Sequence, residues 1–298
     1  MRNSGRRQEF LITVIIRASG YSAIFFVALI FYFLLSQGLP ALQEVDLNSL
    51  FGTRWYPIEE YYGILPLLTG SLVVTIGATL IAVPFGIGTA IYLAEIAPRW
   101  AREILKPLIE ILAGLPSVVL GFIGIAVLSS LLRETFNLAT GLSAFTGALL
   151  LAAISIPTIV SVAEDALDAV PKEYRDGALA LGGTKWQTIW TVTLPAARSG
   201  VLTATMLGIA RSIGETMTVM MVTGNAPVLA SSWRIFFTPV RTMTATIAAE
   251  MGEVASGSVH YHVLFLIGIV LFTISLIVNV LASYYVHRTT SRKEKLLS

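Results

Sequence analysis

Two charged residues stand where charge is expensive. Arg211 and Glu215 fall inside the apolar run SGVLTATMLGIARSIGETMTVMMVTGN, which begins at Ser199. A charge at the centre of a membrane-spanning helix costs at least about 2.5–3.5 kcal/mol, so such residues face the interior of a bundle or water. At i, i+4 spacing the two can pair along one helix. Helical periodicity puts them on one face with Gly200, Ala204, Gly208 and Ser212, small residues that let helices approach closely. The pair therefore reads as facing protein or a pore. Two roles stay open on these residues alone. The pair can line an anion pathway, Arg211 supplying a guanidinium suited to phosphate-like oxygens and Glu215 holding it in place. It can equally be a structural bridge between helices.

Little else in the chain offers chemistry. His260 and His262 flank Tyr261, but two residues apart on a helix they point to different faces, so no metal site is expected. Cysteine is absent, which excludes disulfides, thiolate catalysis, zinc–cysteine sites and iron–sulfur clusters. There is no G-x-x-x-x-G-K-[ST], and indeed no Gly-Lys pair, so the usual phosphate-cradling loop of an ATPase is missing. G-x-S-x-G and H-E-x-x-H are missing too. No active site and no cofactor are expected in this chain; ATP-driven work would need ATP and Mg²⁺ in another subunit.

The elements that must carry Arg211 and Glu215 are membrane spans. Hydrophobic residues make up 55% of the 298, and charged residues 13%, about half the roughly 25% of a soluble domain. Mean hydropathy is +0.77. That balance excludes a disordered chain and an ordinary soluble enzyme, and a net charge of +2 gives no nucleic-acid surface. Six apolar blocks are long enough to cross a bilayer: 18–36, 66–94, 107–132, 144–163, 199–224 and 262–286. The middle ones carry Pro84, Pro116 and Pro157, read as kinks.

Basic residues fix the orientation. Arg2, Arg6, Arg7 and Arg17 precede the first span; Arg99, Arg102 and Lys106 follow the second; Lys172, Arg175, Lys185 and Arg198 follow the fourth; Arg288, Arg292, Lys293 and Lys295 end the chain. Against them, the other loops hold only Arg54, Arg133, Arg234 and Arg241. This asymmetry predicts an even number of spans with both termini in the cytoplasm. The arginines of GRRQEFL read as anchors rather than as a twin-arginine signal, because Arg17 interrupts the apolar stretch and no A-x-A-like site follows.

The first outer loop, about 37–65, carries Glu44, Asp46, Glu59 and Glu60 with Trp55, Tyr56, Tyr61 and Tyr62, aromatics suited to the headgroup layer. The second, about 225–261, is long enough for a short interfacial helix. The inner loop 164–198 reads EDALDAVPKEYRDGALALGGTKWQTIWTVTLPAARSG. Pro171 suits a first helical turn, Gly182 and Gly183 end the helix, and Thr184 with Gln187 has capping-box spacing for a second one, broken by Pro195. Trp186, Ile189 and Trp190 give that second helix an apolar side. The first helix presents a mixed surface suited to a partner's groove.

That loop is also where the sequence resembles a known family. D-G-A-x-x-x-G-x(9)-V-x-L-P, from Asp176, Gly177 and Ala178 through Gly182 to Val192, Leu194 and Pro195, is similar to the EAA loop of bacterial ABC-importer permeases, E-A-A-x-x-x-G-x(9)-I-x-L-P. Asp stands for Glu, Gly for the first Ala and Val for Ile. GIARSIGETMTVMMVTGN, from Gly208 to Asn225, resembles the PstC family of phosphate permeases, as do YGILPLLTGSL from Tyr62 and AEIAPRW from Ala94. Sulfate and molybdate permeases tend to have G-E-F-G where this chain has Gly214-Glu215-Thr216-Met217.

The resemblance implies an all-α, polytopic inner-membrane permease of six spans with kinked middle helices and a cytoplasmic coupling-helix loop. It implies a PstA-like partner permease, two ATP-binding subunits that bind around Asp176–Gly183, and a periplasmic phosphate-binding protein that delivers phosphate. Arg211 and Glu215 match charged positions of the family's translocation path. The expected organisation is a cytoplasmic arm 1–17, a permease domain 18–286 with its core about 66–286, and a basic tail 287–298. Importers of another oxyanion, a secondary transporter with Glu215 as proton relay, and a passive channel or scaffold are the rival readings.

Overall fold

The structure, a computed structural model, describes residues 2–229 and 233–297. The ends of the expected arm and tail, Met1 and Ser298, lie outside them, as do the side chains of Arg2, Arg6, Arg7, Arg288, Arg292, Lys293 and Lys295. Among the described residues, six helical stretches are long and apolar enough to cross a membrane: Ile12–Glu44, Leu65–Ile96, Ser117–Thr135, Ala144–Asp168, Lys185–Gly214 and Val259–Leu281.

The fourth of these, Ala144–Asp168, is the axis of the molecule. It is the most buried span, 61% of its apolar window lying inside the protein. The second span runs parallel to it: Val74 lies beside Gly147, Gly77 beside Ala148, and Gly86 against Ile159. The helix Leu194–Gly214 runs antiparallel, with Gly200 against Ala166, Gly208 against Ile159 and Ser212 against Ser155. Small residues make these contacts because lipid tails are as apolar as leucine; in a bilayer, helix association comes from close packing and polar contacts rather than from hydrophobic exclusion. The Ser155 and Ser212 hydroxyls, 2.8 Å apart and both buried, satisfy each other. Pro84 and Pro157 sit inside continuous helices, Leu65–Ile91 and Ala144–Asp168.

The first helix, Arg2–Gly38, lies at the margin and packs against the last, Val259–Leu297. Phe31 stacks on Phe272 at 4.9 Å and Phe33 meets Phe265 edge-on at 5.6 Å. Much of the rest of the first helix is exposed, as a lipid-facing helix should be.

Two spans differ from the expected boundaries. The block 107–132 is not one helix. An amphipathic helix, Arg99–Gly114, ends at Leu115, whose backbone is extended (φ −67°, ψ 131°). A new helix starts at Ser117 and continues through a π-helical turn, Gly124–Ser129, to Thr135. Pro116 is the reason: it has no N–H to donate, and its ring disfavours helical backbone at the residue before it. The block 199–224 is interrupted as well. Its helix begins at Leu194 and ends at Gly214; Glu215 is extended (φ −70°, ψ 129°), and a short helix, Met217–Val222, follows. Pro195 does not break the preceding helix as expected. It stands in the first turn of Leu194–Gly214, where a missing N–H costs nothing, and a π-helical turn, Ile189–Thr193, leads the chain into that span.

The outer loops pack on the bundle. A two-residue hairpin pairs Trp55 with Tyr62 and Tyr56 with Tyr61. Trp55, 2% exposed, and Tyr62 are buried against Leu264 and Ile267 rather than placed in an aromatic belt, while Tyr56 and Tyr61 are exposed. The second outer loop does contain a short helix, Met243–Glu250, but its first turn is buried in the protein.

Gly200 tests the close approach to the fourth span. A Cβ there would collide with Ala166 Cβ. Gly200→Leu is expected to lower stability by about 1–3 kcal/mol, read as a lower Tm in detergent. Gly88→Ala, where an added Cβ meets nothing within 4 Å, leaves Tm unchanged or raises it.

Candidate functional site

The inner-loop surface is built by two short helices and a glycine turn. Lys172–Ala180 starts directly after Pro171 and stops at Leu181. Gly182 follows with φ +85°, a backbone region that costs an L side chain energy but not glycine. Its N–H bonds Leu179 O at 3.0 Å, and the Gly183 N–H bonds Ala178 O at 3.1 Å, which closes the helix end. The next turn is fixed by the capping box the spacing predicts. The Gln187 N–H donates to Thr184 Oγ1 at 3.2 Å, and the Thr184 N–H donates to Gln187 Oε1 at 2.8 Å.

The outcome is a rigid knuckle. Asp176, Gly177, Leu179 and Leu181 face outward, Leu181 at 91% exposure, and Ala178 is half-buried behind them. Leu194 and Pro195 are not on this surface; Leu194 packs against the central core cluster at the start of the fifth span. Ile189 is buried, while Trp186 and Trp190 meet at 5.6 Å and remain exposed on the flank.

Deeper in the bundle, the helix around Arg211 and Glu215 is not the one the spacing implied. The two do not share a helix, because it ends at Gly214, between them. The expected i, i+4 ion pair is therefore not made: among the described residues no carboxylate lies within 4.0 Å of Arg211 in a salt bridge. Ser212 turns inward to Ser155, near the midpoint of the fourth span, and Arg211 stays exposed at the same depth. Of the predicted face, Ala204, Gly208 and Ser212 are buried and Gly200 is half-buried against Ala166 of the fourth span.

Glu215 occupies the break. Its carboxylate accepts the Thr218 N–H at 3.3 Å, and its carbonyl accepts the Thr244 hydroxyl at 3.2 Å. The break in the third span lies alongside, since Thr218 Oγ1 donates to Ser117 O at 2.8 Å. Irregular backbone at membrane depth is tolerated only where protein buries it or water reaches it. Two adjacent interruptions of helix thus lie one turn from an exposed guanidinium. Such a surface can hold a hydrated anion briefly and release it. The flanking Leu115, Val118, Phe122, Leu207 and Met217 are exposed and apolar, so this face is the wall of a larger assembly or of a lipid contact.

At the outer end, residues that the sequence left unconnected come together on Glu250. Arg241 Nη2 donates to Oε1 at 2.6 Å, Trp55 Nε1 to the same oxygen at 3.1 Å, and His260 Nε2 lies 2.8 Å from Oε2. His262 pairs separately with Glu44 at 2.9 Å. The two histidines thus address different carboxylates, and among the described residues no group of three or more His, Asp or Glu could hold a metal ion. Burial, and then the nearby Glu60 carboxylate, push the Tyr62 phenol above its usual range, so it stays neutral in the aromatic cluster with Trp55 and His260.

Comparison with known proteins places this geometry. The profile of the family described as "Binding-protein-dependent transport system inner membrane component" matches residues 82–291. A relative from Bacillus subtilis (strain 168), "Probable ABC transporter permease protein YqgH", is 41% identical over 255 residues, covering 83% of this chain and 82% of that one. The "Phosphate transport system permease protein PstC" of Xylella fastidiosa is 35% identical over 276 residues, covering 86% and 83%. Among solved structures, the MetNI methionine ABC transporter matches with TM-score 0.56 at 17% identity, over 76% of this chain and 94% of that one. A bacterial ABC transporter involved in alginate import matches with TM-score 0.58 at 14% identity, over 92% and 97%. At these identities the solved structures speak for the fold.

Gly182→Val should strain the turn of the inner-loop knuckle by roughly 1–2 kcal/mol, the cost of left-handed backbone for an L residue. The expected readout is faster trypsin cleavage after the exposed Lys185 in the purified protein. An unchanged cleavage rate would show that the turn does not depend on glycine.

Proposed function

The chain belongs to the binding-protein-dependent transport system inner membrane components, within the PstC family, and from that membership we propose that its substrate is inorganic phosphate, carried from periplasm to cytoplasm. It is a multi-pass membrane permease subunit of an ABC importer. What carries the phosphate reading is the agreement of two independent features. PstC relatives align over most of the chain, and an arginine with no ion pair among the described residues stands exposed beside two helix breaks at the depth where a permease needs a polar step.

In this reading Arg211 receives the anion and lets it go. Its guanidinium offers a planar set of donors matched to phosphate oxygens. The half-buried Glu215 caps the short helix beyond the break and keeps negative charge close, which opposes a long-lived complex with the anion. The exposed wall around Arg211 faces a PstA-like partner permease, and the pathway runs between the two chains. Asp176, Gly177, Ala178, Gly182 and Gly183 form the surface offered to an ATP-binding subunit, one of two in the assembly. Leu194 and Pro195 start the span that the knuckle drives. ATP and Mg²⁺ belong to those partner subunits, and this chain performs no hydrolysis. The outer loops receive a periplasmic phosphate-binding protein.

The orientation follows from charge. With both termini in the cytoplasm of a bacterial inner membrane, the basic loops around 99–106 and 172–198 lie inside, where the positive-inside bias puts them. The arm 1–17 and tail 287–298 then flank the permease domain 18–286 on the cytoplasmic side, although the helices Arg2–Gly38 and Val259–Leu297 run through both limits without a break.

Radiolabelled phosphate uptake tests this in cells that lack their own PstC-type subunit and keep the partner permease, ATPase and binding protein. Saturable, ATP-dependent accumulation that resists excess sulfate is expected when this chain is supplied; uptake of sulfate or molybdate instead would move the assignment to another oxyanion. Arg211→Gln is expected to insert and assemble normally while uptake falls about tenfold to a hundredfold, the worth of a charge-assisted hydrogen bond. Undiminished uptake would return Arg211 to a structural role.

A further inference from the structure

Arg175, one of the basic residues that follow the fourth span in sequence, meets Glu95 in the fold. Arg175 is the partly buried charge of the helix Lys172–Ala180, whose Asp176 and Leu179, like Leu181 just beyond, are exposed. Its Nε and Nη2 donate to Glu95 Oε1 at 3.0 and 2.8 Å. Nη1 donates to Val170 O at 2.6 Å, and Nη2 also to Leu167 O at 2.7 Å. Both side chains are largely buried, with 19% of Arg175 and 8% of Glu95 exposed.

Those acceptors belong to two different spans. Glu95 sits in the π-helical turn Tyr92–Ile96 that ends the second span, where the Ala97 N–H reaches back to Tyr92 O at 2.7 Å. π turns loosen the regular ladder and recur at functional positions. Leu167 and Val170 are at the end of the fourth span, where helix carbonyls lack partners and attract a cation. One guanidinium thus joins the knuckle to the inner ends of both parallel central spans. Neighbouring pairs brace the same corner. Arg102 donates to the Leu93 and Ala94 carbonyls and faces Asp168 at 3.9 Å, and Lys106 meets the buried Glu164 at 3.4 Å.

We propose that the Arg175–Glu95 pair is the positioning latch that makes the inner-loop knuckle, the second span and the fourth span move as one body, so that displacement of the knuckle by an ATPase subunit reaches the transport path. Arg175 touches no substrate; it acts by transmitting force. A lysine could keep the charge but, with all its donors on one nitrogen, could not reproduce the fork by which Nε, Nη1 and Nη2 reach acceptors on two spans. The proposal rests on the importer reading above, and its test separates the two.

The assembled transporter, reconstituted in liposomes, reads the latch as phosphate moved per ATP hydrolysed. Arg175→Gln and Glu95→Gln are expected to co-purify with the ATPase and hydrolyse ATP while that ratio falls roughly tenfold, within the range of coupling-network substitutions. The double variant should be no worse than either single one, since each removes the same interaction. Arg175→Lys should fall between and serves if Arg175→Gln does not insert. An unchanged ratio in all variants, or additive losses in the double, would overturn the latch. A second readout needs no phosphate. The chain has no cysteine, so Leu181→Cys on the knuckle and Phe85→Cys on the second span, 66% exposed, can carry spin labels. Their distance distribution should stay narrow with and without ATP in the native background and broaden with Arg175→Gln. If the native assembly moves no phosphate but the labels behave this way, the substrate assignment falls and the latch stands. Equal distributions in both backgrounds would sink it.

Discussion

Hydrocarbon offers no partner for an N–H or a C=O, so the chain has to satisfy its backbone within itself, and the shape of this protein follows from how it meets that demand. Six helices answer most of it. The fourth, Ala144–Asp168, answers it best, because small residues on both neighbours let them lie against it with little space between. Gly77, Gly86, Gly200 and Gly208 work through what they lack: a side chain at any of them would meet Ala148, Ile159 or Ala166. The second and fifth spans are held to one axis in this way, and everything polar is arranged around that axis.

Where the backbone departs from regular helix, the departures are grouped. The breaks at Leu115–Pro116 and at Glu215 adjoin, joined by the Thr218–Ser117 hydrogen bond, and Arg211 stands one turn away. At the inner ends, π turns at Tyr92–Ile96 and Ile189–Thr193 flank the knuckle. Freed carbonyls there are taken by arginines: Leu93 and Ala94 by Arg102, Leu167 and Val170 by Arg175. Charge and irregular backbone thus compensate each other at the end that carries the knuckle, whereas at the central break Arg211 makes no ion pair among the described residues.

Charged residues at the outer face follow the structural pattern. Glu250 gathers its near neighbours in sequence, Arg241 and His260, together with the distant Trp55, and so ties the first outer loop to the last span. A partly buried carboxylate that holds this many donors is costly to strip of a partner. The cluster keeps the outer loops rigid against the bundle.

Composition and spacing were enough for the class, the number of spans, the knuckle and its capping box, because each rests on local physics: apolar length against bilayer thickness, glycine where φ must be positive, and Thr184 three residues before Gln187. The EAA-like spacing and the Arg211–Glu215 stretch made the family legible in the same way. The tertiary structure alone decided that Arg211 and Glu215 occupy two different helical segments, that Pro116 ends a helix while Pro84 and Pro157 do not, that Trp55 is buried, and that Arg175 reaches Glu95. Each of these depends on a partner distant in sequence. Pro116 and Glu215 sit where a neighbouring segment accepts the interrupted backbone, and whether a buried charge is paired depends on which helix ends the packing brings together. Local pattern specifies what a segment can do; the contacts of the assembled bundle select which of those possibilities is realised.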